Sequence, residues 1–147
     1  MEIISFKENM ETKELKVLVS WSGENYNGGI GDPDLGAILV TASTLEEFKR
    51  EFEESLEFHI EGMLADGDKV PEYISEGNFR IVYDLEATAL LKEAEKFTTL
   101  AAISRATGIN QKQLSHYATG VKQPRPSSRE RIIQGIHAIG RMALALY

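Results

Sequence analysis

The stretch Gly108-Ile109-Asn110-Gln111-Lys112-Gln113-Leu114-Ser115-His116-Tyr117-Ala118-Thr119-Gly120-Val121-Lys122-Gln123-Pro124 decides how the second half of this chain is read. Gly108 suits the left-handed residue that closes one helix, and Asn110 suits the cap of the next. The helix that follows, Gln111 to Ala118, turns Leu114 and Tyr117 inward at a spacing of three, and Gly120 ends it. Gln111, Lys112, Gln113, Ser115 and His116 are left on the side away from Leu114 and Tyr117. Glutamine pairs bidentately with adenine and lysine reaches guanine in the major groove, so these are base-reading side chains. The same residue types also solvate any exposed helix, and the local charge has to decide between the two readings.

Outward from this stretch the helical period continues. Leu100, Ile103, Ser104 and Thr107 form the helix that Gly108 stops, and Leu85, Ala89, Leu90 and Leu91 lie on an earlier one ending near Lys96. Downstream, Pro124-Arg125-Pro126 imposes an extended corner. Ser127-Ser128-Arg129-Glu130 then reads as a capping box for a last helix with Ile132, Ile133, Ile136, Ile139 and Leu144 on its apolar face. Two helices joined by a tight glycine turn make a helix-turn-helix, here inside an all-α module over residues 85–147. Lys122, Arg125 and Arg129 are expected beside a phosphate backbone. Such modules bind as dimers on half-sites about 34–36 Å apart, which predicts a homodimer or higher even assembly. The apolar end Met142-Ala143-Leu144-Ala145-Leu146-Tyr147 is the expected contact.

The charge is divided along the chain. Residues 1–96 hold 9 lysines and arginines against 22 aspartates and glutamates, whereas residues 97–147 hold 7 against 1. A phosphate backbone needs local positive potential, and the second segment supplies it, so the base-reading interpretation of Gln111 to His116 is preferred. An acidic front half beside a basic rear half implies two different partners.

The front half reads as a sheet under a helix. Leu15, Val17, Val19 and Trp21 alternate with Lys16, Leu18 and Ser20 as a strand with one buried face. Gly23-Glu24-Asn25 turns the chain into a second strand, Tyr26 to Ile30, and the turn-rich Gly31-Asp32-Pro33-Asp34-Leu35-Gly36 precedes a third, Ala37 to Thr41. Ser43-Thr44-Leu45-Glu46-Glu47 contains two overlapping capping boxes. Leu45, Phe48, Phe52, Leu56, His59, Ile60 and Met63 recur every three or four residues along a helix over about residues 44–65. Gly67 and Pro71 break it, and Phe79, Ile81 and Tyr83 form a fourth strand. The expected class is α+β, with a βββαβ domain over residues 1–84 followed by the helical domain over 85–147.

Two resemblances follow from these motifs. Gly108-Ile109-Asn110, with Leu114-Ser115 and the run from Tyr117 to Pro124, resembles the turn and closing pattern of Xre/Cro-type helix-turn-helix regulators. Asp32-Pro33-Asp34-Leu35-Gly36, followed by Thr44-Leu45-Glu46-Glu47, by Leu56 to Gly62 and by Pro71, resembles HicB-like antitoxins of type II toxin-antitoxin systems. This second resemblance implies that the first domain is a degenerate RNase H-like fold. It also implies an antitoxin that neutralises a small basic, mRNA-cleaving, HicA-like toxin and represses its own operon on double-stranded operator DNA. A toxin that binds RNA is basic, and an acidic front domain would be steered to it. Asp32, Asp34, Glu47, Glu51 and Glu54 are the candidate toxin contacts. The alternative reading is a stand-alone regulator whose front domain senses a small ligand.

No enzyme is expected. Asp32, Asp34, Asp66 and Asp68 sit in turns, where their chemistry is that of turns, and no set of carboxylates converges from strands to hold Mg²⁺. His59 falls on an apolar helix face as a hydrogen-bonded residue, and with no cysteine there is no transition-metal or cofactor signal. The start, Met1 to Glu8, lacks the basic and apolar stretches of a secretion signal. No apolar run approaches the ~18 residues of a membrane span, so a cytoplasmic protein with no membrane partner is expected.

Overall fold

A computed structural model describes residues 12–146. Met1 to Glu8, expected to lack a secretion signal, and Tyr147 lie outside them. The described residues form two compact units, 12–19 with 24–84 and 20–23 with 85–146. The chain is an α+β protein.

In the first unit, strands β1 (Lys13–Trp21), β2 (Tyr26–Asp32), β3 (Gly36–Ala42) and β4 (Phe79–Leu85) make one sheet in the order β3-β2-β1-β4. β2 and β3 are antiparallel, with Tyr26 opposite Ala42 and Ile30 opposite Ile38. Thr12 bonds Asn78 and Arg80 bonds Glu14, and because both partners advance together β1 and β4 run the same way. Parallel neighbours need a long crossover, which β2, β3 and helix α1 (Leu45–Ala65) supply.

The alternation expected for β1 sets one pattern of the sheet's two faces, and β3, an apolar run in sequence, shows the same alternation in its burial. Leu15, Val17 and Val19 are buried between exposed Lys16 and Leu18, and Ile38, Val40 and Ala42 are buried between exposed Ala37, Leu39 and Thr41. Leu45, Phe48, Phe52 and Leu56 of α1 are the buried stripe that covers this face. Tyr83 of β4 meets Phe48 and Phe52 edge-on, with ring centroids 6.4 and 6.3 Å apart. Its burial, and then the Glu53 carboxylate beside it, hold the phenol well above its ordinary pKa. Phe52 has no exposed surface, so Phe52→Ala is expected to cost about 3–5 kcal/mol in a urea titration. A loss under about 1 kcal/mol would mean that α1 does not cover the sheet as described.

Several details differ from the sequence reading. Thr44 caps α1 by accepting from the Glu47 N–H, while the Glu47 carboxylate turns to accept from the Ser43 hydroxyl. Pro71, expected only to break a helix, also opens a short one, α2 (Glu72–Ser75), with Ile74 buried. Leu85 ends β4 and does not start the next helix.

The second unit holds α3 (Ala87–Ala94), α4 (Leu100–Thr107), α5 (Gln111–Thr119) and α6 (Pro126–Leu144). Leu91, Ile103, Ile109, Leu114, Tyr117 and Ile132 form its core. α6 does not use the expected Ser127 capping box. Pro126, whose fixed φ suits the first helical position, starts it two residues earlier, and Arg125 caps it without a side-chain bond. Among the described residues no helix is long and apolar enough to cross a membrane.

Candidate functional site

The turn between α4 and α5 is fixed by local hydrogen bonds. Gly108 is left-handed, at φ +76°, where an L side chain is disfavoured, and its N–H closes α4 on the Ser104 carbonyl. The Ser104 hydroxyl donates to the Ile109 carbonyl at 2.6 Å, and the Ile109 N–H donates to the Thr107 hydroxyl at 3.1 Å. Arg131 of α6 donates to the Thr107 carbonyl at 2.6 Å. Asn110 caps α5 by accepting from the Lys112 N–H at 2.8 Å. Ile109, Leu114 and Tyr117 are buried, so the orientation of α5 follows from the core.

This geometry sorts the candidate nucleic-acid contacts. Asn110, Gln111 and Lys112 are exposed together on the first turn of α5, the end where free N–H groups favour an anion. Lys122 and Arg125 are exposed in the segment after α5, which is tied back to that helix by the Lys122 N–H on the His116 carbonyl. Gln113 departs from the expectation. It is half-buried and donates to the Tyr117 hydroxyl at 2.9 Å, because residues four apart on a helix are neighbours. Ser115 and His116 are also half-buried, and the His116 Nδ1 is enclosed without a hydrogen-bond partner. Arg129, expected at a phosphate, donates to the Leu85 carbonyl at 2.6 Å from a half-buried position.

In the first unit the candidate carboxylates serve two purposes. Asp32 accepts from the N–H groups of Asp34 and Leu35, so it shapes the loop before β3, while Asp34 is exposed. Glu47, Glu51 and Glu54 fall four and three residues apart, which sets them on one flank of α1 beside the buried stripe. Glu51 and Glu54 are exposed, and Glu54 lines an open concavity with β3. The opposite flank, at Lys49, faces β4, where the Tyr83 hydroxyl donates to the Lys49 carbonyl. His59, expected as a hydrogen-bonded residue of the apolar face, is half-buried and bonds the Leu35 carbonyl through Nε2. Sequence reasoning missed Phe58, 77% exposed on the same flank as Glu51 and Glu54. The signal was available, since Phe58 is out of step with the stripe of Leu45, Phe48, Phe52 and Leu56.

Among the described residues no three His, Cys, Asp or Glu side chains converge to hold a metal ion. No family model matches the chain, and no solved structure gives a significant match. The chain is similar to an "Uncharacterized 14.9 kDa protein in rep-hol intergenic region" of Haemophilus phage HP1 (strain HP1c1). The two are 32% identical over 85 residues, which cover 50% of this chain and 64% of the relative, so the match spans less than two thirds of that protein's length.

Proposed function

We propose that this chain is an antitoxin and autorepressor: its second unit is a helix-turn-helix that binds operator DNA, and its first is a degenerate RNase H-like domain that captures a small basic toxin. The observation that carries the DNA half is the first turn of α5. Gln111 and Lys112 are exposed there, held by a hydrogen-bonded turn, within a segment of 7 basic residues and 1 acidic one. A nine-residue helix presented in this way fits the major groove with its N-terminal residues at the base edges. The toxin half is supported by the acidic excess of the front segment and by the row Glu47, Glu51, Glu54 on one flank of α1. Met142, Leu144 and Leu146 are exposed at the end of the chain, which supports assembly with a second copy on paired half-sites.

Two measurements test the two halves separately. Fluorescence anisotropy on the duplex upstream of the chain's own gene should show saturable binding that weakens steeply with salt, while a shuffled duplex binds far less. Equal affinity for both duplexes would remove the repressor reading. Co-expression with the small basic protein encoded beside the gene should relieve that protein's toxicity, and failure to bind or neutralise it would remove the antitoxin reading.

A further inference from the structure

β3 is an edge of the sheet, and among the described residues no strand pairs along its outer side. Its seven residues, Gly36-Ala37-Ile38-Leu39-Val40-Thr41-Ala42, contain no charge and no proline, the devices by which proteins usually keep an edge from pairing. Next to this edge lies an open concavity of about 530 Å³, lined by Ala37, Leu39, Glu54, Phe58 and His59 among others. His59 ties α1 to the Leu35 carbonyl and so holds the helix beside the strand. The large apolar side chains here are uncovered, Leu39 at 76% exposure and Phe58 at 77%.

These two side chains lie on opposite faces of the sheet. Ile38, Val40 and Ala42 point toward α1, so Leu39 points to the other face, while Phe58 belongs to α1 itself. A helix or a compact surface resting in the concavity would leave the main-chain N–H and C=O groups along the outer side of β3 unpaired. An extended strand added to β3 meets both side chains, because its own side chains alternate between the faces. The charge is one-sided: Glu47, Glu51 and Glu54 stand on the α1 side. A second copy of this chain is a poor occupant, since β3 paired antiparallel with its own copy would set two α1 helices side by side on one face and bring like-charged rows together.

We infer that β3 receives a strand of the toxin, one in which basic residues facing Glu47, Glu51 and Glu54 across the Phe58 ring alternate with apolar residues that cover Leu39. The inference rests on the antitoxin reading and adds the place and mode of capture. Main-chain bonds to the open edge supply affinity, and the alternation of basic and apolar side chains selects the partner.

Titration calorimetry with the small basic protein encoded beside the gene tests it. Leu39→Lys and Phe58→Ala change exposed side chains, so both variants should keep the wild-type melting temperature while binding about tenfold or more weakly. Leu64→Ala, 63% exposed on the same helix but not lining the concavity, should bind within about twofold of wild type. Amide exchange across residues 37–41 should slow in the complex. Wild-type affinity in both variants, or unchanged exchange in β3, would overturn the inference while leaving the antitoxin reading in place. Self-association of the free chain that Leu39→Lys abolishes would overturn it in favour of a second copy. If the unmodified chain fails to bind the toxin at all, the antitoxin reading itself has failed and the inference goes with it.

Discussion

Gly29→Ala is expected to unfold the first unit, at a cost above the ~4–5 kcal/mol that few single substitutions reach. Gly29 has φ +152° and its neighbour Gly28 has φ +153°, a region that L residues rarely occupy. The space is closed as well. A Cβ at Gly29 would stand 1.8 Å from the Ile38 carbonyl oxygen, and one at Gly28 would stand 1.8 Å from the Leu18 carbonyl oxygen. Both obstacles are backbone atoms of the flanking strands, so no side-chain rotation relieves them. β2 would have to draw away from β3 at the Gly29 and Leu39 pair, taking the ladder from Tyr26 to Asp32 with it. A whole domain is stable by only about 5–15 kcal/mol, and this one change is a large share of that. Circular dichroism should show lost sheet signal, and urea titration a collapsed midpoint. A Gly29→Ala protein that melts with the wild type would mean that β2 does not approach β3 as closely as described.

The same pair of glycines shows what the sequence could and could not convey. Tyr26 to Ile30 is readable as a strand from its place between two turn signals, even though glycine weakens strands. The reason for two adjacent glycines lies in Leu18 and Ile38, on the strands either side and distant in sequence, and no local pattern carries it. Elements with a strong period were legible: the alternation of β1 and the three-and-four spacing of α1 each state which face is buried, whereas Ala37 to Val40 of β3 is an apolar run with no period to read. α2 was not, because four residues are too few to show a period. At the candidate sites, exposure at Gln111 and Lys112 follows directly from the inward spacing of Leu114 and Tyr117. The bond from Gln113 to Tyr117 needs the rotamers, and the one from Arg129 to Leu85 spans 44 residues. Neither can be read from polarity. Leu39 looks like core in any one-dimensional reading, and only the strand order reveals that it belongs to an edge.

Those side-chain commitments sharpen the test of the DNA reading. Removing both Gln111 and Lys112 as alanines should lower operator affinity by about a hundredfold or more, because each good base contact carries about 1–3 kcal/mol of discrimination. Binding to a shuffled duplex should fall far less, since only one charge is lost. Removing Lys122 and Arg125 should weaken both duplexes together and reduce the slope of log K against log salt by nearly two, at about 0.9 per phosphate contact. Arg129→Ala should behave as neither pair does. Its guanidinium is already bonded to the Leu85 carbonyl, so the main loss is a charge-assisted hydrogen bond in the second unit, about 1.5–3 kcal/mol of stability. Its apparent DNA defect should then shrink at lower temperature, where the folded population recovers. Anisotropy titrations at three salt concentrations, with a melt of each variant, separate these outcomes. Equal losses on operator and shuffled duplex for Gln111 and Lys112 would place the base-reading surface elsewhere than the first turn of α5. A full salt-slope change for Arg129→Ala without loss of stability would return that residue to the phosphate backbone.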